Sequence, residues 1–194
     1  HASRNKQRLL PALHPRNHAG IRRDGWQVLA NGGVPALLAV THSLSIGALP
    51  LQANGWSLAV TPSPYLTAMT AALAFAASDT ASHEIGEAIS GRTYSPLTRK
   101  FVPPGTTGAV SLDGSFAALM DIVIIVGVAG FIGVFPDLLQ VAAAAIGAVV
   151  GNIADTLIGA CVETRSHKWG NNATNFAASI IAAITAVLLA FLLS

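Results

Sequence analysis

Five apolar segments of about 20 residues each constrain the fold of this chain more than any other feature. They run from about Trp26 to Leu49, Tyr65 to Ala88, Ser111 to Val134, Asp137 to Val162 and Ala173 to Leu193. A helix of about 20 residues crosses a hydrocarbon layer of roughly 30 Å. Only 10% of the residues are charged and the mean hydropathy is +0.56, values that a soluble domain seldom has. We therefore predict an all-α, polytopic transmembrane helix bundle with about five spans.

The predicted domain organisation separates residues 1–25 from residues 26–194. The first segment is basic and polar and lacks the apolar core of a signal peptide. We predict that it is a cytoplasmic segment and that residues 26–194 form the transmembrane domain. Because the chain opens at His1, we expect that its numbering begins inside a longer protein.

All 11 lysine and arginine residues lie in three segments that alternate with the predicted spans. Six precede the first span, three lie between the second and third, and two lie between the fourth and fifth. Five spans place all of them on one side, which the positive-inside rule identifies as cytoplasmic, or stromal in a plastid. Because these residues flank apolar spans, we expect membrane lipids and phosphorylated ligands as partners, and no nucleic acid. The sequence leaves open whether the chain forms a homo-oligomer.

Polar side chains recur at the same end of three spans. On the second span, at 100° per residue, they share an arc of about 140°: Asp79, Thr80, His83, Glu84 and Glu87. On the fourth span they share an arc of about 100°: Asn152, Asp155, Thr156, Gly159 and Glu163. The fifth span opens with Asn171, Asn172, Asn175 and Ser179. Three helices are thus expected to present oxygen ligands at one depth.

Acidic residues inside spans are costly and are usually functional or paired. Carboxylate and amide oxygens suit Mg²⁺, so we predict a magnesium site that includes Asp79, Glu84 and Asp155. The alternative is that these acids pair with basic residues or cap helices. His83 alone is more typical of an interfacial packing residue, and Asp121, deep in the third span, receives no role. The single cysteine, Cys161, predicts neither an internal disulfide nor a zinc site.

A glycine-containing turn precedes the third span. Arg99 and Lys100 are followed by Gly105, Thr106 and Gly108, and a helix is predicted to begin near Ser111. Backbone N–H groups in such a turn, together with the positive end of a helix, can bind phosphate. The residue order is not that of a Walker A loop, and Pro-Pro-Gly-Thr also forms ordinary tight turns. The Asn31-Gly-Gly sequence in the first span predicts a close backbone approach, either to a ligand or to another helix.

Several short motifs follow one another along the chain. They are Gln27-Val-Leu-Ala-Asn-Gly-Gly33, Ser78-Asp-Thr with Glu84-Ile-Gly86, Val102-Pro-Pro-Gly-Thr-Thr-Gly108 with Val110-Ser-Leu112, Asp155-Thr-Leu-Ile-Gly-Ala160 and Asn171-Asn-Ala with Asn175-Phe. From about Gly25 to the C-terminus, the set resembles the integral-membrane phytyl-phosphate kinase family, also known as the transmembrane protein 19 or domain of unknown function 92 type. It is more distantly similar to dolichol kinase. Members of the family usually have further apolar helices before the Gln-Val-Leu-Ala-Asn-Gly-Gly segment, which agrees with an N-terminally incomplete chain.

The resemblance implies an enzyme that converts phytyl phosphate to phytyl diphosphate with a nucleoside triphosphate such as CTP, in tocopherol and phylloquinone synthesis. We predict that Asp79 and Asp155, assisted by Glu84 and Asn175, hold Mg²⁺ on the triphosphate. The residues predicted to bind the phosphorylated substrates are Lys100, Arg99, Gly105, Thr106, Gly108, Asn31, Asn172, Arg22 and Arg23, with Lys100 also acting in catalysis.

Two other classes of function stay open. A transporter would also bury acids in glycine-rich helices, and the Asp-Thr pair recurs in the second and fourth spans. It predicts acids near the bilayer midplane, where only Asp121 is expected. A non-catalytic membrane scaffold would not need clustered acids, so that Asp79→Asn should then be silent.

Overall fold

The computed structural model of the protein describes residues 25–45, 63–163 and 169–193. These form five α-helices: α1 Gly25–Ser45, α2 Pro64–Ile89, α3 Leu112–Phe131, α4 Leu138–Ile158 and α5 Asn171–Leu193. α4 continues into a π-helical turn, Gly159–Glu163. Between α2 and α3 lies an antiparallel hairpin with strands β1 Thr93–Ser95 and β2 Lys100–Val102. The predicted all-α bundle is confirmed, and the helices agree with the predicted spans to within a few residues.

Side-chain caps explain where three of the helices begin. Ser63 caps α2, Ser111 caps α3 and Asp137 caps α4. In each case the side-chain oxygen accepts a hydrogen bond from the backbone N–H three residues later. Such a bond satisfies one of the N–H groups that the first turn of a helix leaves without a partner. Capping residues in the loops therefore set where these three helices begin.

α2 is the central helix of the bundle and contacts all four of the others. Its first half is almost wholly enclosed, and Phe75 is fully buried at the centre of the main apolar cluster. Most of the other buried positions in this cluster are alanine. Because small side chains let helix backbones approach closely in lipid, the bundle is tight around α2.

α4 and α5 pack with almost no space between their backbones. A Cβ atom added at Gly147 would lie 2.7 Å from the carbonyl oxygen of Ala182. One added at Gly151 would lie 2.9 Å from the Cβ of Ala182 and 3.0 Å from the ring of Phe75. Glycine is therefore required at both positions by the approach of the helices.

Four of the five described helices are long and apolar enough to cross a membrane. The exception is α2, whose 26 residues include the acidic and polar positions from Asp79 onwards. A polar second half does not conflict with a central position, because the neighbouring helices cover much of α2. That α2 also crosses the membrane stays a prediction.

The helices alternate in direction, so that α2 and α4 end where α1, α3 and α5 begin. Ser63 and His42 are joined by a 2.8 Å hydrogen bond where α1 ends and α2 begins. At the opposite end, Ser90 after α2 donates a 2.9 Å hydrogen bond to Asp113 in the first turn of α3. We refer to this second end, where α2 and α4 finish, as the site end. That the site end lies on the cytoplasmic side of the membrane stays a prediction.

Candidate functional site

A polar cavity of about 400 Å³ lies at the site end of the bundle. Its wall from α2 includes Asp79, Ser82, His83, Glu84, Gly86 and Glu87. Its wall from α4 and the π-helical turn consists of Asn152, Asp155, Thr156 and Gly159. Thr93 of β1, the loop from Gly105 to Ser111 and Asn171 of α5 complete it. Members of all three polar stripes, and the glycine turn, therefore line one space.

Asp79 is the most enclosed carboxylate in this wall, with 8% of its surface exposed. One of its oxygens, Oδ2, accepts a 3.3 Å hydrogen bond from Nδ2 of Asn175. The same Asn175 nitrogen donates to Oδ1 of Asn31 at 3.1 Å. The other carboxylate oxygen lies 3.2 Å from Nδ1 of His83, one turn further along α2. Side chains from α1, α2 and α5 thus hold Asp79 in position.

Two buried side-chain oxygens of α5 accept or donate no hydrogen bond within the described part of the chain. They are Oδ1 of Asn175 and Oγ of Ser179, both on α5. Asn175 has 5% of its surface exposed and Ser179 has none. A buried polar atom without a partner is unfavourable by about 1–3 kcal/mol, and native proteins seldom keep one without a reason. The Asn175 carbonyl oxygen is an acceptor that suits a cation or an O–H donor.

On the opposite wall, Asn152 ties α4 to α2. Its side-chain nitrogen donates to Oγ of Ser78 at 2.7 Å and to the carbonyl oxygen of Ala148 at 3.0 Å. Ser78 is fully buried and directly precedes Asp79. Asn152 also lines the cavity. This link fixes the spacing between the α2 and α4 walls.

The glycine loop is anchored at both ends by strand pairing. β2 leads into it, and Val110, which follows it, pairs with Tyr94 of β1 through two backbone hydrogen bonds of 2.7 and 2.9 Å. Between these anchors the loop makes two tight turns, with φ of 83° at Gly105 and 69° at Gly108. These positive values favour glycine.

Gly108 also brings the loop onto the end of α4. A Cβ at this position would lie 2.5 Å from the backbone nitrogen of Ala160. Only a hydrogen atom fits there, so the loop and the π-helical turn are in direct backbone contact. This contact closes one side of the cavity.

Two helices begin at the cavity. Ser111 and Asn171, which line it, lie at the N-termini of α3 and α5. The N-terminus of a helix carries a partial positive charge and free N–H groups, which favour anions. The cavity therefore combines acidic side chains on α2 and α4 with positive helix ends on the other side.

The predicted basic ligands lie away from the cavity wall. Arg99 and Lys100 are exposed on the hairpin, and neither lines the cavity. The guanidinium carbon of Arg92 lies 5.6 Å from the ring centre of Phe101. Asn172 is half-buried and is also absent from the wall. Arg22 and Arg23 lie outside the described residues.

The donor set fits a magnesium ion better than a metal that prefers nitrogen or sulfur. Within the described part of the chain, no group of three or more His, Cys, Asp and Glu side chains is placed to hold a metal. Mg²⁺ does not need such a group, because it usually takes one or two carboxylates, with waters and phosphate oxygens as its other ligands. Asp79 and Asp155 line the same cavity. The amide nitrogen of Asn175 bonds to Asp79, and the oxygen of the same amide has no partner among the described residues.

Comparison with known proteins assigns the family. The family described as "Integral membrane protein DUF92" matches residues 2–183. The chain belongs to the DUF92 family. The family resemblance drawn from the motifs is therefore confirmed, and so is the assignment as an integral membrane protein.

Two curated proteins are similar to parts of the chain. It is 37% identical over 97 residues to "Protein VTE6, chloroplastic" of Arabidopsis thaliana, covering 49% of this chain and 28% of the relative. It is 31% identical over 162 residues to "Uncharacterized membrane protein MJ0933" of Methanocaldococcus jannaschii, covering 84% of this chain and 60% of the relative. The chain thus spans less than two thirds of each of these proteins. No solved structure matches it.

Four residues of the cavity wall were not singled out from the sequence: Ser82, Thr93, Thr107 and Ala109. Ser82 lies three residues after Asp79, about one turn along α2, but outside the arc of the predicted stripe. Thr107 lies inside the predicted turn and lines the cavity with its neighbours. Thr93 enters through the hairpin, and no signal in the sequence pointed to it.

Proposed function

We propose that this protein is a membrane-embedded lipid-phosphate kinase. It transfers a phosphoryl group from a nucleoside triphosphate such as CTP to phytyl monophosphate or another prenyl monophosphate. The observation that carries the proposal is the composition of one cavity, in which carboxylates from α2 and α4 face a glycine turn and two helix N-termini. The DUF92 membership and the similarity to the Arabidopsis thaliana protein support the same class of function.

Asp79 and Asp155 would hold Mg²⁺, and Glu84, which lines the same cavity on its exposed side, would interact with the ion through its waters rather than as a third direct ligand. The ion would supply neutralisation of the triphosphate charge, as in other phosphoryl transfers. Asn175 acts as a positioning residue, because it donates to Oδ2 of Asp79 and is itself bonded to Asn31. If Asn175 also binds the ion, it would do so through Oδ1, which has no partner among the described residues.

The glycine turn and the N-termini of α3 and α5 bind phosphate oxygens in this proposal. An oxygen of the lipid monophosphate forms a bond to the γ-phosphorus, and the bond from that phosphorus to the β,γ-bridging oxygen breaks. The electron pair leaves with the nucleoside diphosphate. A phosphate monoester is largely ionised near neutral pH, with a second pKa of about 6, so the attacking oxygen needs no strong general base. The chain's task is to align the two phosphates and to neutralise charge.

Arg99 and Lys100 do not line the cavity, so their proposed role is not direct binding of phosphate. Both are exposed on the hairpin at the site end. Their charges attract anionic substrates toward the cavity, an effect that depends on ionic strength.

The test is a phosphotransfer assay on purified protein in lipid nanodiscs. The protein is incubated with Mg²⁺, each γ-labelled nucleoside triphosphate and a panel of prenyl alcohols and monophosphates. We expect label to appear in a prenyl diphosphate. Asp79→Asn and Asp155→Asn should each lower the rate roughly 100-fold, because each removes a charge at the transferred group.

Asp121→Asn is the matched control, because it makes the same chemical change in α3, outside the cavity. It should leave the rate unchanged. Size-exclusion profiles and thermal unfolding of all variants separate loss of activity from loss of folding. If no lipid becomes labelled, or if the variants of Asp79 and Asp155 are as active as wild type, the proposal is wrong. Dependence of solute uptake on Asp121 would instead favour a transporter.

A further inference from the structure

A second cavity of about 360 Å³ lies between α3 and α4, and its lining is mostly apolar. Ala118, Leu119 and Ile122 form its α3 side, while Val149, Ile153 and Leu157 form its α4 side. Pro96 of the hairpin and Val110 cover the end nearest the loop. We call this space the α3/α4 groove.

The groove adjoins the polar cavity and shares part of its wall. Four residues line both spaces: Ser82, Val110, Asn152 and Thr156. Ser82, Asn152 and Thr156 are polar and lie at the junction, whereas the rest of the groove wall is largely aliphatic. One molecule with a charged head and an apolar tail can therefore occupy both spaces at once.

The groove also opens toward the lipid-facing surface of the bundle. Leu119, Ile153 and Leu157 are 48%, 54% and 47% exposed, although they line a cavity. α3 and α4 contact each other less extensively than α4 and α5 do, which leaves a cleft between two helices that can both cross a membrane. An apolar molecule can enter such a cleft sideways from the hydrocarbon layer without crossing water.

We propose that the α3/α4 groove holds the hydrocarbon tail of a single-chain lipid monophosphate whose phosphate lies in the polar cavity. This inference rests on the proposed function and adds the route and the tail site of its substrate. We expect one chain to occupy the groove, so a diacyl phosphate should compete poorly for it. Ser82, Asn152 and Thr156 mark the point where the headgroup gives way to the tail.

Such a groove should discriminate between substrates by the length of their hydrocarbon tails. Because the tail enters from lipid rather than from water, its binding depends on how closely it packs against the groove wall, and a longer tail makes more of these contacts. A residue that blocks the groove should therefore weaken a long-chain substrate and spare a short one. The headgroup interactions in the polar cavity are the same for both.

Ile153→Trp is the blocking variant, and Ile124→Trp is its matched control. Both isoleucines lie on lipid-facing helix surfaces, with 54% and 60% of their area exposed, but only Ile153 lines the groove. Ile153→Trp should raise the KM for geranylgeranyl monophosphate about tenfold, because the indole ring occupies space that the tail needs. Its KM for dimethylallyl monophosphate should be unchanged, and Ile124→Trp should match wild type with both substrates.

Photolabelling provides a readout that does not depend on catalysis. A geranylgeranyl monophosphate with a diazirine at the far end of its tail is activated on the protein in nanodiscs, and the labelled peptides are identified by mass spectrometry. We expect adducts within 112–131 and 138–158, reduced by unlabelled geranylgeranyl monophosphate and by Ile153→Trp, and unchanged by dipalmitoyl phosphatidic acid.

The outcomes separate this inference from the proposed function. If no diphosphate forms but the adducts map to the groove, the groove stands and the kinase assignment fails. If diphosphate forms but the adducts map to α1 or α5, or if Ile153→Trp and Ile124→Trp behave alike, the groove assignment is wrong. It is also wrong if cross-linking shows a second copy of the chain seated between α3 and α4.

Discussion

The contact between Gly108 and the end of α4 makes Gly108→Ala an informative perturbation. The backbone at this glycine has φ of 69°, a conformation that is unfavourable for other residues by about 1–2 kcal/mol. The added Cβ would also lie 2.5 Å from the Ala160 nitrogen and 2.6 Å from its Cα. These are backbone atoms, so no side-chain rotation relieves the overlap. Such overpacking typically lowers the free energy of unfolding further, by about 1–3 kcal/mol. Gly108→Ala should therefore lower it by about 2–5 kcal/mol in total.

Gly133→Ala separates the two contributions. Gly133 has φ of 80° but nothing within 4 Å of an added Cβ. It should therefore show the backbone cost of about 1–2 kcal/mol alone. The difference between the two variants, about 1–3 kcal/mol, measures the contact of the loop with α4.

The protein can accommodate the overlap in two ways, and each has a measurable result. If the loop stays in place, thermal unfolding in detergent should occur about 3 °C lower for each kcal/mol. If the loop moves away from α4, the cavity opens, and the KM for the nucleoside triphosphate should rise by about tenfold or more, since 1.4 kcal/mol is a factor of ten. Equal melting temperatures and equal KM values for Gly108→Ala and Gly133→Ala would refute the argument that the loop is held by this contact.

Two further substitutions test the packing and the capping that form the site. Gly151→Val places side-chain atoms against Ala182 and the Phe75 ring, at 2.9 and 3.0 Å from the first added carbon, and should lower the unfolding free energy by about 1–3 kcal/mol in a detergent unfolding assay. A variant that unfolds like wild type would mean that α4 and α5 can separate freely. Ser111→Ala removes the hydroxyl that accepts the Gly114 N–H at 3.1 Å and should lower stability by about 1 kcal/mol, with Ser111→Asp restoring it because aspartate also caps helices. Failure of aspartate to restore stability would count against the capping role.

The helices and their polar stripes could be predicted because both depend on local periodicity. A run of apolar residues long enough to cross a bilayer must form a helix, since lipid offers no partner for a free backbone N–H group. The 100° step per residue then groups Asp79 with His83, and Asn152 with Asp155. This reasoning needs no knowledge of neighbouring helices. It does not show that α2 is the central helix of the bundle, because the burial of a helix depends on what surrounds it.

The parts of the site that depend on long-range pairing could not be predicted in the same way. The bond from Asn175 to Asp79 joins residues on different helices, and the bridge between Tyr94 and Val110 closes the glycine loop. Neither follows from spacing, because many registers between helices satisfy the same periodicity. For the same reason, Arg99 and Lys100 were expected beside the phosphate, whereas the hairpin carries them outside the cavity wall.

By itself, the sequence determined that this is a membrane helix bundle with polar residues at one end of three helices. Hydrophobicity and helical period are properties of each segment alone, so they can be read without coordinates. Only the tertiary structure decided that these stripes face one cavity, that Gly108 rests on α4 and that an apolar groove leads away between α3 and α4. These features arise from the way helices pack against each other, where a difference of one methyl group decides which surfaces touch.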